Sequence, residues 1–355
     1  DGGCRMRILI VSDAWYPQIN GVVRTLTAMR DQLSARGDEV YMLTPERFWS
    51  IPCPTYSEIR LAFISSGAVG KVVKEFMPSA IHIATEGPLG LAARRFCLKR
   101  GLPFTSAFHT RFPEYIEARF RIPADWSYPL LRWFHGRSSA VMAPTPTVVD
   151  SLAARGFKNV RLWGRGVDID LFKPGHRQDT ADVPGKGPTL LFVGRVAVEK
   201  NITAFLDLKI DGTKVVVGDG PMIAALRSRY RDVVFVGAKH GPDLVSYYNA
   251  ADVFVFPSLT DTFGLVMLEA LACGVPVAAF PVMGPRDVVT DDLVGCLDEY
   301  LVVAIETALR CRPEDCVAFA EKRSWTACAE TFRSYLHKFD PNIIQGADVL
   351  SAPAS

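Results

Sequence analysis

Short apolar runs alternate with amphipathic stretches along most of this chain. Residues 7–11 form a nearly continuous apolar run, and residues 39–43, 80–84, 103–108 and 139–143 repeat its character. Between them, residues 22–35, 68–77, 89–99 and 148–154 carry apolar side chains at helical spacing. Apolar strands separated by helices predict a parallel sheet covered on both faces. The rhythm breaks at residues 172–188, a stretch rich in proline, glycine and polar residues that reads as a linker. It then restarts, with strands predicted at 190–193, 214–217, 233–236, 253–256 and 275–280 and helices at 222–230, 243–250, 263–273 and 301–309.

This pattern predicts an α/β protein of two doubly wound, Rossmann-like domains facing a cleft. They are expected at 1–178 and 179–340, with 341–355 as a tail; the last helix, about 324–338, is a candidate to cross back to the first domain. A length of 355 residues agrees with two domains at roughly 150 residues each. Ligands of such sheets bind beyond the carboxyl ends of the strands, so functional residues are expected in the loops that follow strands.

Composition narrows the class. An apolar content of 49% argues against disorder, and a formal net charge of +2 gives no global basic field for nucleic acid, so any charged partner must meet a local patch. The eight cysteines are dispersed without a CxxC pair and read as buried thiols in a reducing cytoplasm. No apolar run approaches the roughly 18 residues of a membrane-spanning helix, and no signal peptide is evident. Met6 is the expected natural start, with residues 1–5 as a remnant ahead of it.

Several strand ends carry candidate chemistry. The first strand runs into Ser12 and Asp13, and the following loop ends at Gly21, just ahead of a helix. A glycine there lets the backbone approach a phosphate favoured by the helix dipole. An ordinary turn explains a single glycine too, and alone is the preferred reading. Gly194, Arg195 and Lys200 follow the first strand of the second half. A guanidinium fork and an ammonium in one loop suit a diphosphate. The alternative is a solvated basic loop, but two cations directly after a strand favour the ligand. Gly218 to Pro221 lacks both GxGxxG spacing and a P-loop lysine, so it reads as a tight turn.

The most specific segment is 258–270. Thr262 is placed to cap a helix from Phe263, which puts Asp261 at the helix mouth. Glu269 then lies about 12 Å further along, at a rise of 1.5 Å per residue. It stands among Leu265, Val266, Met267, Leu268, Ala270 and Leu271, where a carboxylate is costly to bury without partners. A pair of ligand hydroxyls and a salt bridge to a Lys or Arg would satisfy it equally. His109 follows the run 103–108, at a strand end facing the expected cleft, and His240 follows 233–236. A lone histidine is more often structural than functional.

Jointly, these residues resemble the retaining glycosyltransferase family 4. The resemblance covers essentially the whole chain in collinear order. It rests on Asn20, Gly21 and Val22; His109 and Thr110; Gly166 to Asp168; Gly194 and Arg195 with Lys200; Gly218 to Pro221; Ala250 to Ser258; and the acidic pair ending in Glu269. It implies a GT-B fold, an acceptor-binding first domain and a second domain that binds the nucleotide sugar. It further implies that Gly21 touches the diphosphate, and that Arg195 and Lys200 hold it with help from the amides of Phe263, Gly264 and Leu265. Glu269 would hold the ribose hydroxyls, Asp261 orient the donor sugar, and His109 lie near its reacting face. Val236 and Gly237 would line the base pocket. The family usually places glutamate where this chain has Asp261, one methylene shorter.

Residues 52–60, 84–90 and 163–168 resemble the branch of bacterial glycolipid synthases and of sulfoquinovosyl or mannosyl transferases acting on lipids. The implied donor is a UDP-sugar, with GDP-mannose as the alternative, and the implied acceptor is diacylglycerol or a relative. Independently, Trp126, Tyr128, Arg132, Trp133 and Arg137 interleave aromatic and basic residues, near Arg94, Arg95, Lys99 and Arg100. That mixture suits an anionic membrane surface, so the protein is expected to be cytoplasmic and peripheral on the inner face of the membrane. An inward-facing helix with ordinary surface arginines accounts for the same residues equally.

No retaining-hydrolase pair of carboxylates is evident. The expected chemistry is a same-face displacement in which cations stabilise the leaving diphosphate, with no essential metal or other cofactor. A membrane-bound nucleotide-sugar sensor without catalysis and a GT-B sugar epimerase are the rivals. Absence of product with any lipid would mark the first, and release of free nucleotide without an acceptor the second.

Overall fold

The computed structural model describes residues 5–16, 21–53, 56–62, 64–109, 124–175, 183, 187–259, 261 and 263–346. By internal contacts the chain forms two compact units, Asp1–Gly164 with Cys328–Ser355, and Arg165–Ala327.

The first unit contains β1 (Arg7–Val11), β2 (Glu39–Leu43), β3 (Ser50–Cys53), β4 (Tyr56–Ala62), β5 (Ala80–Ile83), β6 (Thr105–Ala107), β7 (Val141–Ala143) and β8 (Val160–Leu162). Six form a sheet in the order β2-β1-β5-β6-β7-β8, with every pairing parallel. β3 and β4 pair antiparallel as a separate ribbon. β1 is buried from Ile8 to Val11 and β5 along its whole length, with His82 the polar side chain among its apolar neighbours. Leu9, Val11, Ile81 and Ile83 pack with Val69, Val73, Leu89 and Phe96 from the helices Ser66–Phe76 and Pro88–Arg100. The first of these helices starts on Ser65, whose side chain accepts from the Ala68 amide. The second has Pro88 in its first turn and ends on Gly101 at φ +63°, where a side chain would be strained.

The second unit contains β9 (Thr189–Val193), β10 (Thr213–Val217), β11 (Val234–Gly237), β12 (Val253–Phe256), β13 (Val277–Ala279) and β14 (Gly295–Leu297). Their order is β11-β10-β9-β12-β13-β14, again all parallel. One face carries Leu191, Val215, Phe254 and Val277 with the helix Leu265–Ala272; the other carries Leu190, Val216, Val255 and Ala278 with the helix Leu301–Ala308.

The sequence rhythm placed the division at 178/179, inside the Pro- and Gly-rich stretch. By contacts the chain leaves the first unit after Gly164. Val167 donates its amide to the Arg323 carbonyl at 2.9 Å and accepts from the Trp325 amide at 3.2 Å, while Val167 and Phe172 join the second unit's core. From Cys328 the chain belongs to the first unit again. There Trp163 Nε1 donates to the Cys328 carbonyl at 3.2 Å, and Phe332 stacks at 5.0 Å from Trp163. Among the described residues, no helix is long and apolar enough to cross a membrane.

Candidate active site

In the second unit the strand order reverses between β9 and β12, and ligands of doubly wound sheets bind beyond the strand ends at such a point. Lys200 follows β9 and Asp261 follows β12. Lys200 Nζ donates to both carboxylate oxygens of Asp261, at 2.6 and 2.7 Å. Each side chain keeps about a quarter of its surface exposed, 25% and 23%. Arg195, in the same loop as Lys200, is exposed, with Nη1 3.9 Å from Glu199.

The loops beneath this pair are held by backbone contacts. Val196 donates its amide to the Asp219 carbonyl at 2.9 Å. A Cβ at Gly218 would overlap the Gly194 carbonyl oxygen, and one at Gly220 the Val196 carbonyl oxygen. The turn at 218–220 therefore serves as the tight support on which the Arg195 loop rests. After the short turn Val198–Lys200, Asn201 takes φ +49° and its amide nitrogen donates to the Pro257 carbonyl at 3.1 Å. On the other side, Gly284 has φ +87°, and a Cβ there would stand 2.5 Å from the carbonyl oxygen of Asp261.

The helix after Asp261 begins at Leu265, two residues later than its sequence pattern indicates. Gly264, at φ +78°, precedes it in a left-handed conformation closed to other residues, because a Cβ would meet Met267 and Phe256 at 2.8 and 2.9 Å. Thr262, the expected cap, lies outside the described residues. Phe263 and Leu265 are half-buried beside that glycine. Glu269 is only 3% exposed. The Tyr248 hydroxyl reaches its Oε2 at 3.0 Å, so a tyrosine is one partner of this buried acid. Val236 and Gly237 end β11; Gly237, at φ +78°, accepts the Gly218 amide at 2.9 Å and has open space where a Cβ would stand. The unit thus gathers Lys200, Asp261 and Gly264 at one strand-end region, with Glu269 on the helix that follows. Tyr248 and Gly284 support it and escaped the sequence reading, because neither follows a strand directly in a cation- or acid-bearing loop.

The first unit reverses between β1 and β5. There Asp13 is buried and accepts from the Leu89 and Gly90 amides at 2.8 and 3.1 Å and from the Thr85 hydroxyl at 2.8 Å. It caps the helix Pro88–Arg100 from across the sheet, and Gly87 leaves it room, since a Cβ there would overlap its carboxyl. Burial pushes the Asp13 carboxyl above its ordinary value, opposed by these hydrogen bonds. The stretch 84–90 therefore has a structural cause of its own. Gly21 opens the helix Gly21–Ala35 with nothing within 4 Å of its Cβ position. His109 follows β6, with its ring 5.7 Å from that of Trp163. It belongs to the first unit, whereas Arg195, Lys200 and Asp261 belong to the second. Asn20 and Thr110 lie outside the described residues.

The helix Ala124–His135 exposes Trp126, Leu130 and Trp133, at 77, 65 and 54%, on one face at helical spacing. Arg132 and Arg137 are exposed beside them. Tyr128 corrects the expectation: it points inward, packed by Phe157 and covered by the Arg155 guanidinium at 4.3 Å. It sits on the apolar side of this amphipathic helix, so it offers no surface to a membrane. Arg94 stacks at 4.0 Å on Trp133 and donates to the carbonyls of Trp133 and Phe134, both at 2.8 Å. This ties the helix to Pro88–Arg100, whose own outer face exposes Leu91, Arg95 and Leu98. Among the described residues, no three His, Cys, Asp or Glu side chains gather as a metal-binding group.

Two parallel doubly wound sheets, with a cation–acid pair at the switch point of the second, fit a glycosyltransferase of the GT-B kind. Residues 19–171 match Glycosyltransferase Family 4, and residues 187–325 match Glycosyl transferases group 1. A GDP-mannose-dependent alpha-mannosyltransferase of Mycolicibacterium smegmatis is 30% identical over 316 residues, 82% of this chain and 84% of that protein. An alpha-monoglucosyldiacylglycerol synthase of Streptococcus pneumoniae is 26% identical over 376 residues, 94% of this chain and 85% of that one. Among solved structures, a sucrose-phosphate synthase of Thermosynechococcus elongatus shares the fold with a TM-score of 0.73 at 22% identity, covering 93% of this chain and 98% of that chain. The chain belongs to glycosyltransferase family 4.

Proposed function

We propose that this protein transfers a hexose or hexuronate from a UDP-sugar onto a membrane lipid such as diacylglycerol, with retention at the anomeric carbon. The observation that carries the donor half is the Lys200–Asp261 pair at the β9/β12 switch point, with buried Glu269 on the helix that follows. The acceptor half is supported by the exposed Trp126, Leu130 and Trp133 stripe with Arg132 and Arg137, and by similarity to a diacylglycerol glucosyl-transferring relative. In this reading the protein works as a peripheral enzyme on the inner face of the cell membrane.

In the transfer step, the bond from the anomeric carbon to the diphosphate oxygen breaks as the bond to the acceptor oxygen forms on the same face. The acceptor's hydroxyl proton passes to the departing diphosphate oxygen. Arg195, Lys200 and the amides of Gly264 and Leu265 stabilise the charge that builds on the leaving group. Glu269 accepts from the ribose hydroxyls, and Val236 and Gly237 flank the base. These cationic groups do the work a metal would do, so activity is expected to persist in excess chelator; complete loss that returns with magnesium would overturn that part.

GDP-mannose is the second reading for the donor, favoured by the 30% identity to a mannosyltransferase. A panel of UDP- and GDP-sugars with diacylglycerol in mixed micelles, read by mass spectrometry, separates the two. The lipid reading predicts a glycosyl-diacylglycerol from at least one UDP-sugar. Product from GDP-mannose alone would select the second donor, and binding of a donor with no product on any lipid would leave a sensor.

A further inference from the structure

We infer that Asp261 is the counter-ion that occupies Lys200 until the donor arrives, and that the donor's diphosphate must displace it. The inference rests on the donor-site reading above. Lys200 Nζ has three donors and no acceptor. Two are committed to Asp261, at 2.6 and 2.7 Å. A diphosphate drawn to the same ammonium would meet a carboxylate already in place, and like charges at that distance repel. Either Asp261 leaves Lys200 or the diphosphate binds weakly.

The surroundings dictate how the exchange occurs. The Lys200 loop is pinned by the Asn201 side chain on the Pro257 carbonyl, 3.1 Å, and by the amide of Val196 on Asp219, 2.9 Å. The Asp261 backbone is backed by Gly284, so close that a Cβ there would stand 2.5 Å from its carbonyl oxygen. Close packing on both sides favours a side-chain rotation as the means of exchange. Asp261 has a short reach, and with both oxygens on Lys200 it is held at the ammonium until a turn about χ1 frees it. Once released, its carboxylate is free to accept from the donor sugar. The arrangement makes sugar orientation conditional on diphosphate docking, and it holds down the affinity for free nucleoside diphosphate, which helps product leave.

The test is isothermal titration of UDP and GDP into wild type, Lys200→Ala, Asp261→Asn and the double variant, each with a wild-type circular dichroism spectrum. Wild type should bind one of the two, and Lys200→Ala should bind it more weakly. Asp261→Asn should bind it roughly two- to fivefold tighter than wild type, the scale of a partly exposed ion pair released. In the Lys200→Ala background, Asp261→Asn should bring a clearly smaller gain, that of the charge repulsion alone. Equal or weaker binding by Asp261→Asn overturns the inference, as does a gain of the same size without Lys200, which would be mere through-space repulsion. Asp261→Ser, too short to bond Lys200, must repeat the Asn result. If wild type binds neither diphosphate, or Lys200→Ala binds like wild type, the donor-site reading itself fails and takes the inference with it.

Discussion

Glu269 illustrates what a single residue can and cannot announce. Its place among apolar neighbours marked it as a buried acid needing partners, and it is buried. The tyrosine that meets it stands 21 residues earlier on the helix Gly241–Ala250, a pairing that no local pattern encodes. Glu269→Gln keeps an oxygen for the Tyr248 hydroxyl but removes the charge. Nucleotide affinity should fall about tenfold, the difference between a charge-assisted and a neutral hydrogen bond, with little change in melting temperature. Titration calorimetry beside a thermal melt checks both. His82 is the opposite case, a residue the sequence left unremarked. It is fully buried, with Nδ1 2.9 Å from the Thr105 hydroxyl. Burial, with the charge of His135 adding to it, lowers its imidazole from 6.5 to about 3. The unfolded chain therefore binds a proton that the folded chain refuses between those values. The stability contributed by neutral His82 is complete above pH 6.5 and falls as pH drops, by about 1.4 kcal/mol per pH unit. Urea midpoints at pH 7, 6 and 5 should show that extra slope in wild type and not in His82→Gln; equal slopes would place the acid sensitivity elsewhere.

At the scale of elements, the apolar runs located the central strands well. β1 and β12 match their runs residue for residue, because each is buried along nearly its whole length, and the edge strand β2 matches too although it opens on Glu39 and is mostly half-buried. Two other edges were not legible. β8 and β14 are three residues each, and β8 exposes Arg161 and Leu162, so neither makes a run. The helix of the acidic segment starts late because Gly264 adopts φ +78°, a choice set by the space between Met267 and Phe256. The C-terminal helix Trp325–Tyr335 is fixed to the first unit by a contact between distant residues. Arg333 donates to Asp38 at 2.7 and 3.1 Å, and Asp38, with its side chain 2% exposed, also accepts the Met6 amide at 2.8 Å. Arg333→Ala would strand a buried carboxylate, at a cost of about 3 kcal/mol. Limited proteolysis should then cut within 328–346 far sooner than in wild type, and Asp38→Asn in the same chain should restore part of the protection.

For the whole molecule, the near-neutral charge of +2 constrains the proposed action on a lipid. A global field cannot hold it to an anionic bilayer, so the membrane attachment proposed above would have to come from one local surface. The helix Ala124–His135 offers that surface: two tryptophans and a leucine stand outward, Arg132 and Arg137 flank them, and Arg94 fixes Trp133 by stacking on its ring. Indoles at the headgroup level and arginines near lipid phosphates act together, each arginine adding about 1 kcal/mol on an anionic leaflet. Trp126→Ala with Trp133→Ala should therefore lower partition into phosphatidylglycerol vesicles by roughly tenfold or more, on an area basis of about 25 cal/mol per Å² of apolar surface. Its melting temperature should hold, since both side chains are more than half exposed. Raising salt should weaken wild-type binding to anionic vesicles and leave the smaller binding to phosphatidylcholine vesicles unchanged. The decisive comparison is turnover. With diacylglycerol in vesicles the double variant should lose activity in step with its lost binding. With a water-soluble short-chain acceptor, which needs no membrane, it should match wild type. Equal loss on both acceptors would move these tryptophans from the membrane surface into the catalytic machinery.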